Sequence, residues 1–165
     1  MNHLMLYTDG SVDPDSGTGF GAYLAVEDPG QSVESLEPLV KIVSFDQTSS
    51  TRLEPQVLLH ALGEVRSFVG RVTVHTDSQN VVGLVGRRSR LEGAGYRSRS
   101  GRLLNNHDLY REFYLLIDEQ DCEFVKVRGH RASGQRSRTD KLFTLVDRAS
   151  RKAMRRSRTR RPRCW

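Results

Sequence analysis

The feature that most limits the fold is a change of hydrophobic period after Ser49. Before that point, apolar residues come in short β-like runs divided by turn formers. Leu4 to Thr8 reads as a strand, and the stretch from Asp13 to Gly19 is dense in turn formers. Phe20 to Val26 reads as a second strand, with Tyr23 and Val26 as strand formers. Asp28-Pro29-Gly30 makes another turn, and a third strand lies in Leu39 to Phe45. Three short strands with tight links predict an antiparallel meander. After Ser49, Val57, Leu58, Ala61, Leu62 and Val65 recur at helical spacing and make one apolar face. Thr51 to Pro55 reads as the helix start, with Pro55 in the first turn, where its missing N–H is not needed. Gly70 ends this unit, and the β-branched run Arg71 to Thr76 reads as a buried strand. A strand reached through a helix predicts a β–α–β unit with a parallel pair.

The rest of the chain continues the alternation. Ser78 to Val85 predicts a short helix, and Asp108 to Glu119 a longer amphipathic one with Leu109, Phe113, Leu116 and Ile117 inward. Gly86 to Leu104 has no clear period and is rich in arginine, glycine and serine. Glu123 to Val127 reads as a fifth strand, Arg128 to Arg138 as a basic loop, and Lys141 to Met154 as a last helix. The element order β-β-β-α-β-α-α-β-α is that of an α/β fold with a mixed sheet. One domain is expected over 1–154, followed by a disordered basic tail over 155–165.

A chain of 165 residues suits a single core. No apolar run approaches the ~20 residues that span a bilayer, and the start lacks the pattern of a signal peptide. The expectation is a cytoplasmic monomer with no membrane contact. Cys122 and Cys164 show no metal-binding spacing and are expected as free thiols. The net charge of +6 favours a polyanionic partner.

Four acids stand at particular element ends. Asp9 closes the first strand and Asp77 the fourth; Glu54 opens the first long helix and Asp140 the last. Singly, each has an ordinary use: Asp9-Gly10 as a turn, Asp77-Ser78 as a helix cap, Glu54 and Asp140 as acids opposite a helix dipole. Together they suggest a shared crevice, since loops at strand ends converge in α/β folds. Crowded carboxylates raise one another's pKa. A hard divalent cation such as Mg²⁺ reverses that cost, and a pair of such ions suits phosphodiester cleavage.

These residues resemble the type 1 ribonuclease H family. Tyr7-Thr8-Asp9-Gly10-Ser11 is similar to its first-strand motif, and Gly17-Thr18-Gly19-Phe20-Gly21-Ala22-Tyr23 to its glycine-rich second strand. Thr51-Arg52-Leu53-Glu54 resembles the helix motif with the catalytic glutamate, and Val74-His75-Thr76-Asp77-Ser78-Gln79 the fourth-strand motif. Val127-Arg128-Gly129-His130 resembles the fifth strand and its histidine loop, and Asp140 follows His130 by ten positions, the family spacing. The resemblance implies a five-stranded mixed sheet of order 3-2-1-4-5 flanked by helices. It implies an endoribonuclease that hydrolyses the RNA strand of an RNA–DNA hybrid with Mg²⁺ or Mn²⁺, as two ions, leaving 5′-phosphate and 3′-hydroxyl ends. Asp9, Glu54, Asp77 and Asp140 would hold the metal, and His130 would assist proton transfer or product release. Val146-Asp147-Arg148 also looks motif-like, but spacing favours Asp140, leaving Asp147 to a helix-surface ion pair.

Substrate contacts are expected from Gly10 and Ser11 to RNA 2′-hydroxyls, from Ser78, and from Ser50 and Thr51, which stand where the family often has two amide side chains. Arg97 and Arg99, with Tyr96, lie in the stretch Arg87 to Arg102 that corresponds to the family's basic protrusion, where they would grip a phosphate backbone. The tail would add salt-sensitive affinity for double-stranded nucleic acid in general. Two alternatives stay open: a catalytically idle binding module of the same fold, and another ribonuclease H-like nuclease acting on DNA.

Overall fold

The computed structural model describes residues 1–128, 133–160 and 162. Its sheet has the order β3-β2-β1-β4-β5, formed by β1 (His3–Asp13), β2 (Thr18–Val26), β3 (Lys41–Phe45), β4 (Arg71–Thr76) and β5 (Cys122–Lys126). The first three strands run antiparallel, with Asp9 opposite Ala22. β4 lies parallel to β1, with Tyr7 opposite His75, and β5 lies parallel to β4. The meander and the parallel pair are therefore both as the period change predicts. The helices are α1 (Val33–Leu36), α2 (Ser50–Glu64), α3 (Gln79–Val82), α4 (Leu84–Gly93), α5 (His107–Glu119) and α6 (Arg138–Thr159). No helix among the described residues is long and apolar enough to cross a membrane. Cys122 is a free thiol, and Cys164 lies outside the described residues.

Alternation along β1 serves two cores. Leu4 and Leu6 face Leu58 and Leu62 of α2, Val72 and Val74 of β4, and Phe113 of α5. Tyr7 points to the opposite face, with Leu24 and Val26 of β2 and Leu142 and Val146 of α6. This is the two-residue period of a strand buried on both faces.

The glycines of the first two strands have a packing reason. A Cβ on Gly21 would stand 2.3 Å from Val57 Cγ2, and one on Gly10 would stand 2.8 Å from Leu53 Cδ2. The start of α2 thus rests directly on bare backbone, which fixes how close Glu54 comes to the sheet. Pro55 falls in the second turn of α2, not the first. It lacks the N–H that would reach the carbonyl of Thr51 four residues back. Asn106 fills the gap, donating Nδ2–H to Thr51 O at 3.3 Å. Arg52 in turn donates to Asn106 Oδ1 at 3.4 Å and to both oxygens of Asp108 at 3.1 and 2.8 Å. The loop before α5 is thereby locked to α2.

Two other expectations are corrected. The arginine-rich stretch is helical as far as Gly93. Leu84 and Leu91 are buried one above the other, and Arg88 pairs with Glu92 and with Asp118 of α5. The arginines are the wet face of a packed helix. The last helix does not stop at Met154 but runs to Thr159. Arg158 reaches the fully buried Asp13 at 3.2 Å, so residues 155–159 are ordered helix rather than tail.

Gly21→Ala is expected to cost about 1–3 kcal/mol by overpacking. Val57→Ala in the same chain should return part of it. Urea unfolding of the single and double variants measures this, and an unchanged midpoint for Gly21→Ala would show that α2 does not rest on this glycine.

Candidate active site

Tyr7 and His75, facing each other across β1 and β4, stack at 4.7 Å between ring centroids and 13° between planes. Two residues beyond each, past the stacked rings, come Asp9 and Asp77. Asp147 arrives from α6, and Glu54 from α2. A cavity of about 250 Å³ beside them is lined by Asp77, Asp140, Asp147, Arg128, Arg136 and Arg148, among others. Acids line its wall, and arginines share it.

The acids feel one another. Asp9 is pushed up to about 7 by burial first and then by Asp77, with Asp147 adding to the rise; hydrogen bonds from Ser150 and the Gly10 backbone oppose it. Burial also raises Asp77, with the charge of Asp147 next. Glu54 is raised by burial and by Asp77, against a hydrogen bond from Ser78. That bond, Ser78 Oγ to Glu54 Oε2, is 2.5 Å long.

The structure therefore gathers Asp9, Glu54 and Asp77 as expected, and adds Asp147. Asp147 does form the expected pair, with Arg151 at 2.9 Å, yet its charge also bears on Asp9 and Asp77. Asp140 lines the same cavity, but its carboxylate accepts the Ser137 N–H at 2.9 Å in a capping box, while Ser137 Oγ accepts from Asp140 N at 3.2 Å. The charge of Asp147, for its part, raises both Asp9 and Asp77. The ten-residue spacing from His130 pointed to Asp140. His130 itself lies outside the described residues.

The expected substrate contacts divide. Ser50 and Thr51 are exposed at the start of α2, and Arg97 and Arg99 are exposed beyond α4. Ser78 is not available to substrate: it is 5% exposed, and its hydroxyl serves Glu54 and caps α3. Gly10 is half-buried under Leu53. Ser11 turns its hydroxyl to Ser150 at 3.0 Å. Tyr96 is buried with Arg111 over its ring at 4.7 Å, so it does not reach outward beside the arginines. Ser150 went unforeseen, since a serine inside a helix carries no local signal.

Among the described residues, no three of these side chains are already drawn into a closed cage. The donor chemistry still fits a hard divalent cation. The donors are carboxylate oxygens, and Mg²⁺ keeps several waters and takes only one or two protein carboxylates per ion.

A mixed five-stranded sheet of this order, with acids from β1, α2, β4 and α6 at one end, defines a ribonuclease H-like fold. A sequence model of the RNase H family matches residues 1–148, and the chain belongs to that family. It is 27% identical over 144 residues to a ribonuclease H of Novosphingobium aromaticivorans, covering 86% of this chain and 94% of that protein. A ribonuclease H of Moorella thermoacetica is 28% identical over 145 residues, covering 86% of this chain and 90% of its own. A foamy viral protease–reverse transcriptase, solved in complex with RNA/DNA hybrid, overlays with a TM-score of 0.67 at 10% identity, over 93% of this chain and 20% of the larger one. That last likeness speaks for the fold.

Raised carboxyl groups bind protons more tightly folded than unfolded. Their stabilising contribution is full below about pH 4 and is lost as pH rises toward the Asp9 value near 7. For Asp9 the span is worth on the order of 4 kcal/mol. In EDTA, wild-type stability to urea is expected to fall between pH 4 and 8. Asp9→Asn should flatten that curve and gain about 1–3 kcal/mol at pH 8. Parallel curves for the two proteins would remove Asp9 from the strained cluster.

Proposed function

We propose that this chain is a cytoplasmic, monomeric endoribonuclease that hydrolyses the RNA strand of RNA–DNA hybrids with Mg²⁺, or Mn²⁺ in its place. The observation that carries the reading is the gathering of Asp9, Asp77 and Asp147 from three separate elements, where burial first, and then the charges of Asp77 and Asp147, lift Asp9 to about 7. Such crowding is unfavourable without a cation between the charges and favourable with one. The family membership and the hybrid bound by the foamy viral relative support the substrate.

Asp9, Glu54, Asp77 and Asp147 would hold the metal, with Asp147 taking the place first expected of Asp140. Two bound ions would supply a water of lowered pKa and a counter-charge for the leaving oxygen. The chain's own groups do the rest. Ser78 orients Glu54 through its short hydrogen bond. Arg128, Arg136 and Arg148 on the cavity wall draw in the phosphate backbone. His130 would hand a proton to the leaving oxygen, a task suited to an imidazole at neutral pH. Gly10, Ser50 and Thr51 would meet the hybrid near the acids. Arg97 and Arg99 would hold its backbone farther out.

Cleavage of a labelled hybrid with Mg²⁺, with Mn²⁺ and with EDTA, beside single-stranded RNA and both pure duplexes, tests the reading. Metal-dependent cutting of the hybrid's RNA strand alone is expected. Tight binding without cutting under either metal would make the chain a binding module. Cutting of DNA would make it another nuclease of this fold. Asp147→Asn should lower the rate more than about a hundredfold, the upper range for groups that merely orient a ligand. Asp140→Asn should keep most of the activity, and the reverse order would return the fourth position to Asp140.

The exposed cations Arg155, Arg156 and Arg160 at the end of α6 would add backbone contacts to any duplex. Replacing the three by Gln leaves the Arg158–Asp13 pair intact. The slope of log affinity against log salt should then shallow by up to about 0.9 per lost phosphate contact. An unchanged slope would mean that the end of α6 stays clear of nucleic acid.

A further inference from the structure

We infer that Ser150, backed by Ser11, is a positioning residue that fixes the Asp9 carboxylate for metal capture. The inference rests on the metal-dependent reading above.

Ser150 lies on α6 three residues after Asp147 and is fully buried. A hydroxyl taken out of water requires partners. Ser150 Oγ has three: Asp9 Oδ2 at 3.0 Å, Ser11 Oγ at 3.0 Å and Asp147 O at 3.1 Å. The contact with Asp147 O is the ordinary local bond of a helical serine. The other two cross to β1 and have no local reason.

One proton serves two acceptors, Asp9 Oδ2 and Asp147 O. Asp9 must be ionised to hold a cation, and an ionised carboxylate is the stronger acceptor, so in that state the proton belongs on the Asp9 bond. Ser150 Oγ is then left to accept, and Ser11 donates to it. The two hydroxyls run in series, Ser11 to Ser150 to Asp9, and each bond polarises the next. Ser11 sits two residues after Asp9 on the same strand, so both ends of the series are held by β1, while its middle is held by α6. The helix that brings Asp147 thus also sets the orientation of Asp9. Ser150 has no exposed surface with which to touch substrate. Its effect on the reaction passes through Asp9.

The test uses the full chain. Ser150→Ala removes the hydroxyl at almost constant volume, and circular dichroism checks that the fold is kept. Mn²⁺ binding is measured by calorimetry, with Asp9→Asn marking the heat that belongs to this site, and kcat and KM are measured on a hybrid. Ser150→Ala should weaken Mn²⁺ binding and lower kcat by roughly tenfold or more, the range for groups that orient a metal ligand. KM should stay within about twofold, since substrate is not touched. Ser11→Ala should move both values the same way by less. The double variant should be no worse than Ser150→Ala, because the bonds are in series. Wild-type Mn²⁺ affinity and kcat in Ser150→Ala overturn the inference. So do effects of Ser11→Ala and Ser150→Ala that simply add. Should Ser150→Ala fail to fold, Ser11→Ala with wild-type Mn²⁺ affinity and kcat overturns it too. A wild-type chain that neither binds Mn²⁺ nor cuts hybrid overturns the reading beneath it instead.

Discussion

Three carboxylates that repel one another can be held together only by a frame stiff enough to resist them. Asp9 and Asp147 sit half out of water beside the more exposed Asp77, where repulsion is less screened than in bulk solvent. The frame is the central strand β1, paired with β2 over residues 5–13 and with β4 over residues 3–7, and the helix laid across it. Beneath the acids the Tyr7 and His75 rings stack and hold the two strand ends at a fixed separation. The glycines of β1 and β2 let α2 settle onto the sheet, so that Glu54 arrives low enough to share the crevice. Each of these packing features is remote from chemistry in itself. Each sets a coordinate of the same four oxygen-bearing side chains.

α6 carries an unusual share of that burden. It begins in a reciprocal cap between Ser137 and Asp140 and is pinned near its end by Arg158 on the buried Asp13. Between these anchors it presents Leu142 and Val146 to the core and Asp147 to the crevice. A helix tied to β1 by Arg158 on Asp13 and by Ser150 on Asp9 cannot slide or roll without breaking one of these contacts. Its cationic outer face extends the acid crevice outward with the charge that a phosphate backbone requires.

Much of this was legible in the sequence, and the misses have physical causes. The period change gave the meander and the crossover because apolar spacing directly reports which side of an element is buried. The acids of β1, α2 and β4 were legible because each stands within an unbroken motif, although Asp9 lies inside β1 rather than at its end and Glu54 lies in the second turn of α2. Asp140 stood out by its ten-residue spacing from His130. The pattern Ser137-x-x-Asp140 already had a sufficient use as a cap, and that signal was present to be read. The arginines after Gly83 hid a helix, since only Leu84 and Leu91 mark its buried side. Asn106 and Ser150 were invisible for a different reason. Each completes a hydrogen bond left open by a residue far away in the chain, and no local pattern records that.

The dependence of β1 on α6 has a consequence for how the protein comes into being. Asp9 is synthesised well before Asp147 and Ser150. Until the chain has been made past Ser150, the far face of β1 lacks Leu142 and Val146, and the crevice lacks one of its acids. Chains emerging from synthesis complete their earlier units first. On this topology, the meander and crossover can assemble on a nascent chain that still lacks Asp147 and Ser150. The crevice is completed only once α6 has been made and has docked on β1.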